Sequence, residues 1–509
     1  MSNVNAHSLR DPRKQDRRLL RFGLVVVMGL IACSPTNTSD PHGEGRAQVM
    51  VREPVVERDL EDIRETGTLR VLLRNDSSSY YVLQGQEYGF EFEVVRELAR
   101  EMDLRLRVVL PDSEHAPLEM LNLGEVDVVA SPLYPEEHPE VEVAYTSPYH
   151  RVYQTLVVNT ALADSIHGPP DLGGVMVAAR RYSSGEKRLF ALRRSGIPVG
   201  IVMHPFETST EELLDLVADG TYSAAVALDR DVGAQLRFRD ELHEAFPLSD
   251  EREVRWAVRS NSPDLLAAVN RALRHHYRLR EDDTVARSEF YAVVADRYFG
   301  NSSRVQRHAE HPFRLGRTGK LSPYDELFQQ AAEDYRLDWR LLAALSFQES
   351  RFDPEAASWA GAVGLMQVKP AVVGIGEDSL KIAEVNVPAG AAHLRSLFDV
   401  YDFLPGPQQL RFALAAYNCG QGHLDDARML AIRRGKDPNV WEGSVRESLM
   451  LLRDPQYHRQ ARYGYVRAGQ TVTYVREILQ RYDLLRHLTR ERRNVGLTAA
   501  SQTLPGPAN

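Results

Sequence analysis

Glu349 is the residue of this sequence whose surroundings most clearly suggest chemistry. It follows Leu342 and Leu345 at positions i, i+3 and i+7, so a helix here would place the acid on the same stripe as two leucines. A carboxyl group on an apolar stripe is poorly hydrated when charged, which raises its pKa. A raised pKa suits a general acid working near neutral pH, so the sequence predicts such an acid at Glu349.

Polar and glycine-rich segments follow that helix. The segment 361–367 contains two glycines that could let backbone approach a ligand, and Ser358 and Gln367 lie near its ends. Further on, Tyr417 shares a helical stripe with two leucines and has Asn418 beside it, so it is predicted to point inward. A later tyrosine, Tyr474, fits core packing as well as it fits contact with a substrate.

Three motifs carry a resemblance to a known family: Glu349-Ser350, Gly364-Leu365-Met366-Gln367 and Ala416-Tyr417-Asn418. Together, over about Ser322 to Tyr482, they resemble the catalytic domain of lytic transglycosylases, which has an all-α, lysozyme-like fold. The resemblance implies that Glu349 is the sole catalytic acid and that Tyr417 hydrogen-bonds it. It also implies contacts with the sugar substrate from a second group of residues: Ser358, Met366, Gln367, Asn418 and Tyr474. His393, where relatives often have a tyrosine, suggests an altered cleft preference.

A single acid restricts the reaction that this domain could perform. Glycosidases that use water normally need a second carboxylate, but Asp353 and Glu355 flank the helix-stopping Pro354, so we expect structural or solvated roles for both. The resemblance implies cleavage of peptidoglycan between N-acetylmuramic acid and N-acetylglucosamine, with formation of a 1,6-anhydro ring and without metal or cofactor. A hydrolytic muramidase, and a binding or sensing lipoprotein with a silent catalytic domain, remain as alternatives.

The region before this domain has a different pattern of apolar residues. From Gly67 onward, short apolar runs such as "TLRVLLRND" alternate with amphipathic helical patterns such as "FEFEVVRELAREMDL". This alternation of strand and helix patterns favours mostly parallel sheets covered by helices. Because the alternation repeats from Val175 onward, it predicts two α/β lobes.

These lobes resemble the extracellular solute-binding proteins of the amino-acid-binding type. The resemblance rests on five segments over about Leu69 to Gly300: Gly89-Phe90, Leu123 to Asp127, Tyr145 to Tyr149, Ala224 to Asp229 and Arg297 to Gly300. It implies a periplasmic-binding-protein fold with a ligand between the lobes and Asp229 on the ligand's amino group.

The expected carboxylate-binding arginine of that family is missing here. The segment at its position reads Pro135-Glu136-Glu137-His138-Pro139. We therefore expect a muropeptide or other wall peptide rather than a free amino acid. Ser183 and Ser184 could offer hydroxyls to an anion, or they could form an ordinary helix cap.

The N-terminus predicts export. Six basic residues precede the apolar run Phe22 to Ala32, which is too short to span a bilayer but suits a signal peptide. The run ends at Cys33 in a pattern that resembles the bacterial lipoprotein signal, which implies lipidation of Cys33. Ser34 after the cysteine implies the periplasmic face of the outer membrane. A solute-binding region ahead of a transglycosylase domain in one exported chain resembles the F family of membrane-bound lytic murein transglycosylases.

The chain length and the net charge each exclude one alternative. A chain of 509 residues is too long for one core. Its net charge of -9 argues against a general nucleic-acid binder. We expect six segments: a signal peptide at 1–32, a tether at 33–66, the two-lobed solute-binding domain at 67–300, a linker at 301–320, the catalytic domain at 321–485 and a tail without fixed structure at 486–509.

Overall fold

A computed structural model of the protein describes residues 55–111, 115–137, 141–300, 307–308 and 311–489. These residues belong to one compact unit. The predicted signal peptide, Cys33, most of the predicted tether and residues 490–509 of the predicted tail lie outside the described residues. Among the described helices, none is both long and apolar enough to cross a membrane.

Within the described part of the chain, the strands all lie before residue 300. In chain order they are β1 Thr68–Leu72, β2 Tyr81–Leu83, β3 Gln86–Tyr88, β4 Arg105–Val109, β5 Val128–Leu133, β6 Val143–Tyr145, β7 His150–Val152, β8 Gln154–Asn159, β9 Met176–Arg180, β10 Gly200–His204, β11 Ala224–Leu228, β12 Leu242–Pro247, β13 Arg252–Arg259, β14 Tyr277–Leu279 and β15 Val285–Arg287.

The helices run through the whole described chain. In order they are α1 Leu60–Thr66, α2 Phe90–Glu101, α3 Pro117–Asn122, α4 Ser184–Arg194, α5 Thr210–Ala218, α6 Asp229–Gln235, α7 Pro263–His276, α8 Glu289–Phe299, α9 Leu315–Thr318, α10 Asp325–Tyr335, α11 Trp339–Ser350, α12 Pro370–Val373, α13 Glu377–Leu380, α14 Ala383–Val400, α15 Gly406–Cys419, α16 Gln421–Arg433, α17 Arg446–Leu451, α18 Pro455–His458 and α19 Ala468–Leu488.

Two separate sheets confirm the predicted two-lobed α/β region. The sheet of the first lobe has the order β4-β1-β5-β13-β6, with β7 paired to β13, and the sheet of the second lobe has the order β10-β9-β11-β8-β12. In each sheet, helices connect the parallel strands, and one strand runs antiparallel to its neighbours. The chain crosses between the lobes at Tyr153, between β7 and β8, and again between β12 and β13.

The predicted boundary at Gly67 is wrong, because the fold begins earlier. Residues assigned to the tether form α1, which Asp59 caps and which buries Ile63 completely. Arg58 forms an ion pair of 3.1 Å with the buried Asp127. These contacts make α1 part of the first lobe rather than a flexible tether.

The C-terminal third is all-α, as predicted, and its core surrounds α11. Asp338 caps this helix by accepting from the N–H of Arg340, and Leu342 and Leu345 are fully buried. The helix α19 packs along α11, and α10, α14, α15 and α16 complete the bundle. The last helix reaches Leu488, three residues beyond the predicted end of the domain.

Candidate active site

The carboxyl group of Glu349 lies in the last turn of α11, on the stripe that the sequence predicted. The helix ends directly after it, because Arg351 adopts a left-handed conformation with φ 57°. Glu349 is half-buried. Burial raises the pKa of Glu349 to about 7, and a hydrogen bond from Tyr474 offsets part of this rise. At neutral pH the group can therefore both donate and accept a proton.

Tyr474, from α19, is the tyrosine that donates a hydrogen bond to Oε1 of Glu349. Tyr474 is only 5% exposed. The two helices are also joined beside this contact, because Gln348 donates to Oε2 of Glu477 at 2.9 Å and accepts from Arg481 at 3.2 Å. These contacts fix the distance between the acid and its hydrogen-bond donor.

Tyr417 does not make the contact that was predicted for it. Its hydroxyl donates to the backbone oxygen of Met366 at 2.8 Å, and its ring lies 5.1 Å from that of His393. A phenol has one proton to donate, and Tyr417 donates it to the backbone of the loop. Tyr417 nevertheless belongs to the same cluster, since burial and, to a smaller extent, the charge of Glu349 raise its pKa.

The loop after α11 is held by two serine side chains of that helix. Ser346 and Ser350 on α11 donate to the backbone oxygen of Leu365, at 3.1 and 2.9 Å. Ser350 is thus the residue that couples the loop to the turn carrying the acid. Because these contacts join the loop to the final turns of α11, the loop and Glu349 form one unit.

Asn386 on α14 is a site residue that the sequence reasoning missed. It is completely buried, accepts from the N–H of Met366 at 2.7 Å, and donates to the backbone oxygens of Val363 and Leu380 at 2.8 and 2.7 Å. All three bonds serve backbone groups that would otherwise be buried without partners. No hydrophobic periodicity signals such a residue; only the fold shows which loop it reaches.

Two glycines, Gly364 in the loop and Gly390 on α14, lie where the loop packs against that helix. A side chain on Gly364, at φ 79°, would lie 2.3 Å from the amide of Asn386, and one on Gly390 would lie 2.4 Å from Met366. A glycine is therefore required at position 364, because any side chain there would meet Asn386. Gly361 does face open space.

The other predicted substrate-binding residues line the same loop or its neighbours. Ser358 accepts from the N–H of Ala362 at 3.0 Å. Gln367 has φ 45° and donates through Nε2 to the backbone oxygens of Ala356 and Gly364, at 2.8 and 3.0 Å. The fully buried Met366 offers little side-chain surface to a ligand.

Asn418 lies at the end of α15, next to α19. Its Oδ1 accepts from the hydroxyl of Thr471 at 2.8 Å. Thr471 is buried on α19, one turn before Tyr474. Asn418 thus connects the segment of Tyr417 to the helix that supplies the donor for Glu349.

The two acids that follow Glu349 in the sequence have structural or solvated positions, as expected. Asp353 and Glu355 are both exposed, and the Oδ1 of Asp353 accepts from the N–H of Glu355 at 2.9 Å in a local turn. Neither environment resembles the desolvated one of Glu349.

In the two-lobed region, Asp229 begins α6, beside the crossing point of the chain. Its Oδ1 accepts from the N–H of Tyr153 at 3.0 Å, and burial raises its pKa to about 6. Ser183 caps α4 by accepting from Glu186 at 3.2 Å, and Ser184 accepts from Nε2 of Gln154. Ser183 is thus a helix cap, which was the simpler of its two predicted roles. Of the segment at the missing arginine, residues 138 and 139 lie outside the described residues.

Comparison with known proteins assigns a class to each half of the chain. Residues 69–299 match the family of bacterial extracellular solute-binding proteins, family 3, and residues 326–439 match the transglycosylase SLT domain. The chain is 32% identical to a membrane-bound lytic murein transglycosylase F of Desulfosudis oleivorans, over 83% of this chain and 91% of the relative. A protein of Alkalilimnicola ehrlichii, membrane-bound lytic murein transglycosylase F 1, is 31% identical over 90% of this chain and 91% of its own. The chain belongs to the membrane-bound lytic murein transglycosylase F family.

Two solved structures align with the first half of the chain. A mutant of ArgBP from T. maritima is 21% identical, covers 47% of this chain and 99% of its own, and has a TM-score of 0.40. An ancestral amino acid-binding protein described as a precursor of cyclohexadienyl dehydratase is 24% identical, covers 47% of this chain and 98% of its own, and has a TM-score of 0.39.

Proposed function

We propose that this protein is a lytic transglycosylase of peptidoglycan, in which Glu349 acts first as acid and then as base. The observation that carries the proposal is the half-buried carboxyl of Glu349, whose pKa is raised to about 7. Near neutral pH such a group is partly protonated, so it can donate a proton, and its conjugate base is strong enough to take one back.

The proposed reaction needs no second carboxylate. Glu349 gives its proton to the glycosidic oxygen as the bond from C1 of N-acetylmuramic acid breaks, and the N-acetyl group of that sugar assists at C1. The Glu349 carboxylate then takes the proton of the C6 hydroxyl, whose oxygen bonds to C1 and closes the 1,6-anhydro ring. The acid is restored to its protonated form and no water is consumed.

The contacts of the two tyrosines support a division of roles between them. Tyr474 holds the acid and tunes it, since its hydrogen bond favours the charged form of Glu349. Tyr417 holds the backbone of Met366 and so shapes the cleft. For Ser358, Gln367 and Asn418 we propose polar contacts with the sugars, and for Met366 a contact through its backbone.

Two other functions would leave different signatures. A hydrolytic muramidase would need a positioned water and a base, and the exposed positions of Asp353 and Glu355 disfavour both acids as that base. A silent catalytic domain would have no need for a desolvated acid with a dedicated donor, because such a group destabilises the fold.

For the N-terminus we propose lipidation at Cys33 and a location at the periplasmic face of the outer membrane. The support is the order of basic segment, short apolar run and cysteine. The partners would then be a membrane, through the lipid, and the glycan strands of the wall; nucleic acid is not among them.

For the two lobes we propose a peptide fragment of the wall as ligand, with its ammonium group on Asp229. Support comes from the position of Asp229 at the crossing between the lobes and from the missing arginine of the amino-acid-binding pattern. A free amino acid would leave its carboxylate without a bidentate partner. Calorimetry of the full chain with a stem peptide and with single amino acids tests this, and tight binding of a free amino acid would contradict it. We also propose that lobe closure alters access to Glu349, which predicts a changed cleavage rate with saturating peptide.

The catalytic proposal is tested by release of soluble fragments from purified murein. Glu349→Gln keeps the shape of the side chain and loses the transferable proton, so we expect a loss of at least about 100-fold. Glu355→Gln, an exposed acid on the same loop, is the matched control and should retain activity. Substantial activity in Glu349→Gln with an intact circular dichroism spectrum would point to a different acid.

A further inference from the structure

The segment that joins the two halves of the chain pairs with a hairpin of the first lobe. The backbone oxygen of Phe313 accepts from the N–H of Gln84 at 3.1 Å, and Arg314 forms an antiparallel bridge with Leu83. This isolated bridge attaches the segment to the edge of β2. It also directs the side chain of Arg314 toward the space between the lobes.

Arg314 is buried there as an ion pair. Its side chain is 5% exposed, and its Nη2 donates to Oε1 of Glu211 at 3.0 Å. The guanidinium group also lies 4.7 Å from the centre of the Tyr81 ring. An aromatic face and a carboxylate together form the usual environment of a bound guanidinium group.

The carboxylate that receives Arg314 is shared between the lobes. Glu211 belongs to α5 of the second lobe, and its Oε1 also accepts from the N–H of Ser77 in the first lobe, at 2.9 Å. Burial by itself raises the pKa of Glu211, but the charge of Arg314 and the bond from Ser77 outweigh it, so the pKa lies below its usual value. Glu211 is therefore charged, and it joins both lobes to the segment that follows them.

The ion pair leaves part of its hydrogen-bonding capacity unused. Among the described residues, Oε2 of Glu211, Nη1 of Arg314 and Oε1 of Gln235 are buried without a hydrogen-bond partner. Arg314 thus makes one of the two bonds that a guanidinium group can make with a carboxylate. Its backbone pairing with Leu83 restricts where its side chain can reach, whereas a free guanidinium compound could take the bidentate geometry.

We propose that Glu211, Ser77 and Tyr81 form a guanidinium-binding subsite between the lobes and that Arg314 is its internal occupant. A free ligand carrying a guanidinium or alkylammonium group exchanges with Arg314. Because the internal occupant is tethered, its effective concentration is on the order of millimolar, and a small competitor is needed at that level or above.

The displaced segment is connected to the catalytic helix through the same hairpin. A side chain on Gly85, at the hairpin turn, would lie 2.4 Å from the ring of Phe347, which belongs to α11 two residues before Glu349. Arg481 covers that ring from α19, at 4.1 Å. Release of Arg314 removes one support of the hairpin that contacts α11. An effect on glycan cleavage rests on the proposed function; the exchange of Arg314 does not.

Hydrogen exchange on the full wild-type chain tests the exchange of Arg314 directly. The probe is agmatine, which carries a guanidinium and an ammonium group, against equal potassium chloride. Agmatine at about 10 mM, above the effective concentration of the tether, should increase exchange at Phe313 to Leu315 and at Gln84. Unchanged exchange at these amides would overturn the proposal, whatever the effect of agmatine elsewhere.

A variant gives a second, independent measurement. Arg314→Ala should lower Tm by about 4 to 8 °C, and methylguanidinium at low millimolar concentration should restore part of this loss. Arg395→Ala, which removes an exposed ion pair with Asp399, is the control and should show neither effect. The subsite would be contradicted if methylguanidinium did not raise the Tm of Arg314→Ala. It would also be contradicted if methylguanidinium raised the Tm of both variants by the same amount. Both readouts are independent of glycan cleavage, so failure of the catalytic proposal would leave them interpretable.

Discussion

The hydroxyl of Tyr474 donates a hydrogen bond to Oε1 of Glu349, across the contact between α19 and α11. Burial and this bond act in opposite directions on the acid, because burial disfavours its charged form and the bond favours it. Burial is the larger effect, and the pKa of Glu349 is about 7. The tyrosine therefore keeps the pKa within the range in which one carboxyl can serve as both acid and base.

Removal of this hydroxyl should move the pH dependence of the reaction. In Tyr474→Phe the pKa of Glu349 rises further, so we expect the alkaline limb of the kcat/KM profile to shift to higher pH and the maximal rate to fall by about 10-fold or more. The matched control is Tyr482→Phe, on the same helix, whose hydroxyl donates to Asp338 at 2.9 Å. An alkaline limb that stays in place in Tyr474→Phe would show that the bond does not tune the acid.

The same acid should reduce the stability of the fold as the pH rises. Its pKa is raised in the folded state, so its contribution is fully present below the unfolded pKa near 4.5 and is lost as the pH rises through about 7. Glu349→Gln avoids this loss. At pH 8 it should be more stable than the wild type by about 1 to 3 kcal/mol, and the difference should shrink toward pH 4.5. Urea unfolding at the two pH values measures it, and equal stability at pH 8 would contradict the assigned pKa.

The buried amide of Asn386 should be needed for the loop that carries Gln367. Asn386→Ala removes three hydrogen bonds to buried backbone groups and should cost about 2 to 4 kcal/mol. Because the loop contacts Ser350, cleavage should fall as well. Asn439→Ala, which removes an amide that accepts from Arg428 in a part-buried contact, is the comparison and should cost less. Equal losses in the two variants would mean that the loop does not depend on Asn386.

The prediction for Cys33 concerns a residue outside the described part of the chain. In Cys33→Ala the run Phe22 to Ala32 is too short to anchor the protein in a bilayer, so we expect release into the soluble fraction. Fractionation after a high-salt wash measures this. Retention in the membrane would indicate that the run acts as an uncleaved anchor.

Periodicity was sufficient to predict the main elements of the fold. The strand β1 and the helices α2 and α11 lie where the apolar patterns place them. Glu349 could be found for the same reason, because its position depends on the helix that carries it. Features of this kind are local, and a local pattern is what a sequence displays directly.

The partners of individual polar groups could not be predicted in that way. Tyr417 and Tyr474 both lie on inward stripes, but which of them donates to Glu349 depends on how α15 and α19 pack around α11. Tyr474 does share a buried stripe with Thr471 and Ile478, so its inward position was readable from the sequence. The contact of Arg314 with Glu211 joins residues 103 positions apart, and no sequence pattern connects them.

The central claim is that one carboxyl closes an anhydro ring without water, and isotope labelling of the products tests it most directly. Purified murein is digested by the full chain in water enriched in oxygen-18, and the new glycan ends are analysed by mass spectrometry. The proposed mechanism predicts 1,6-anhydro ends without the label, and none of them with Glu349→Gln. Reducing ends that carry oxygen-18 would show that water attacks C1, and would contradict the account.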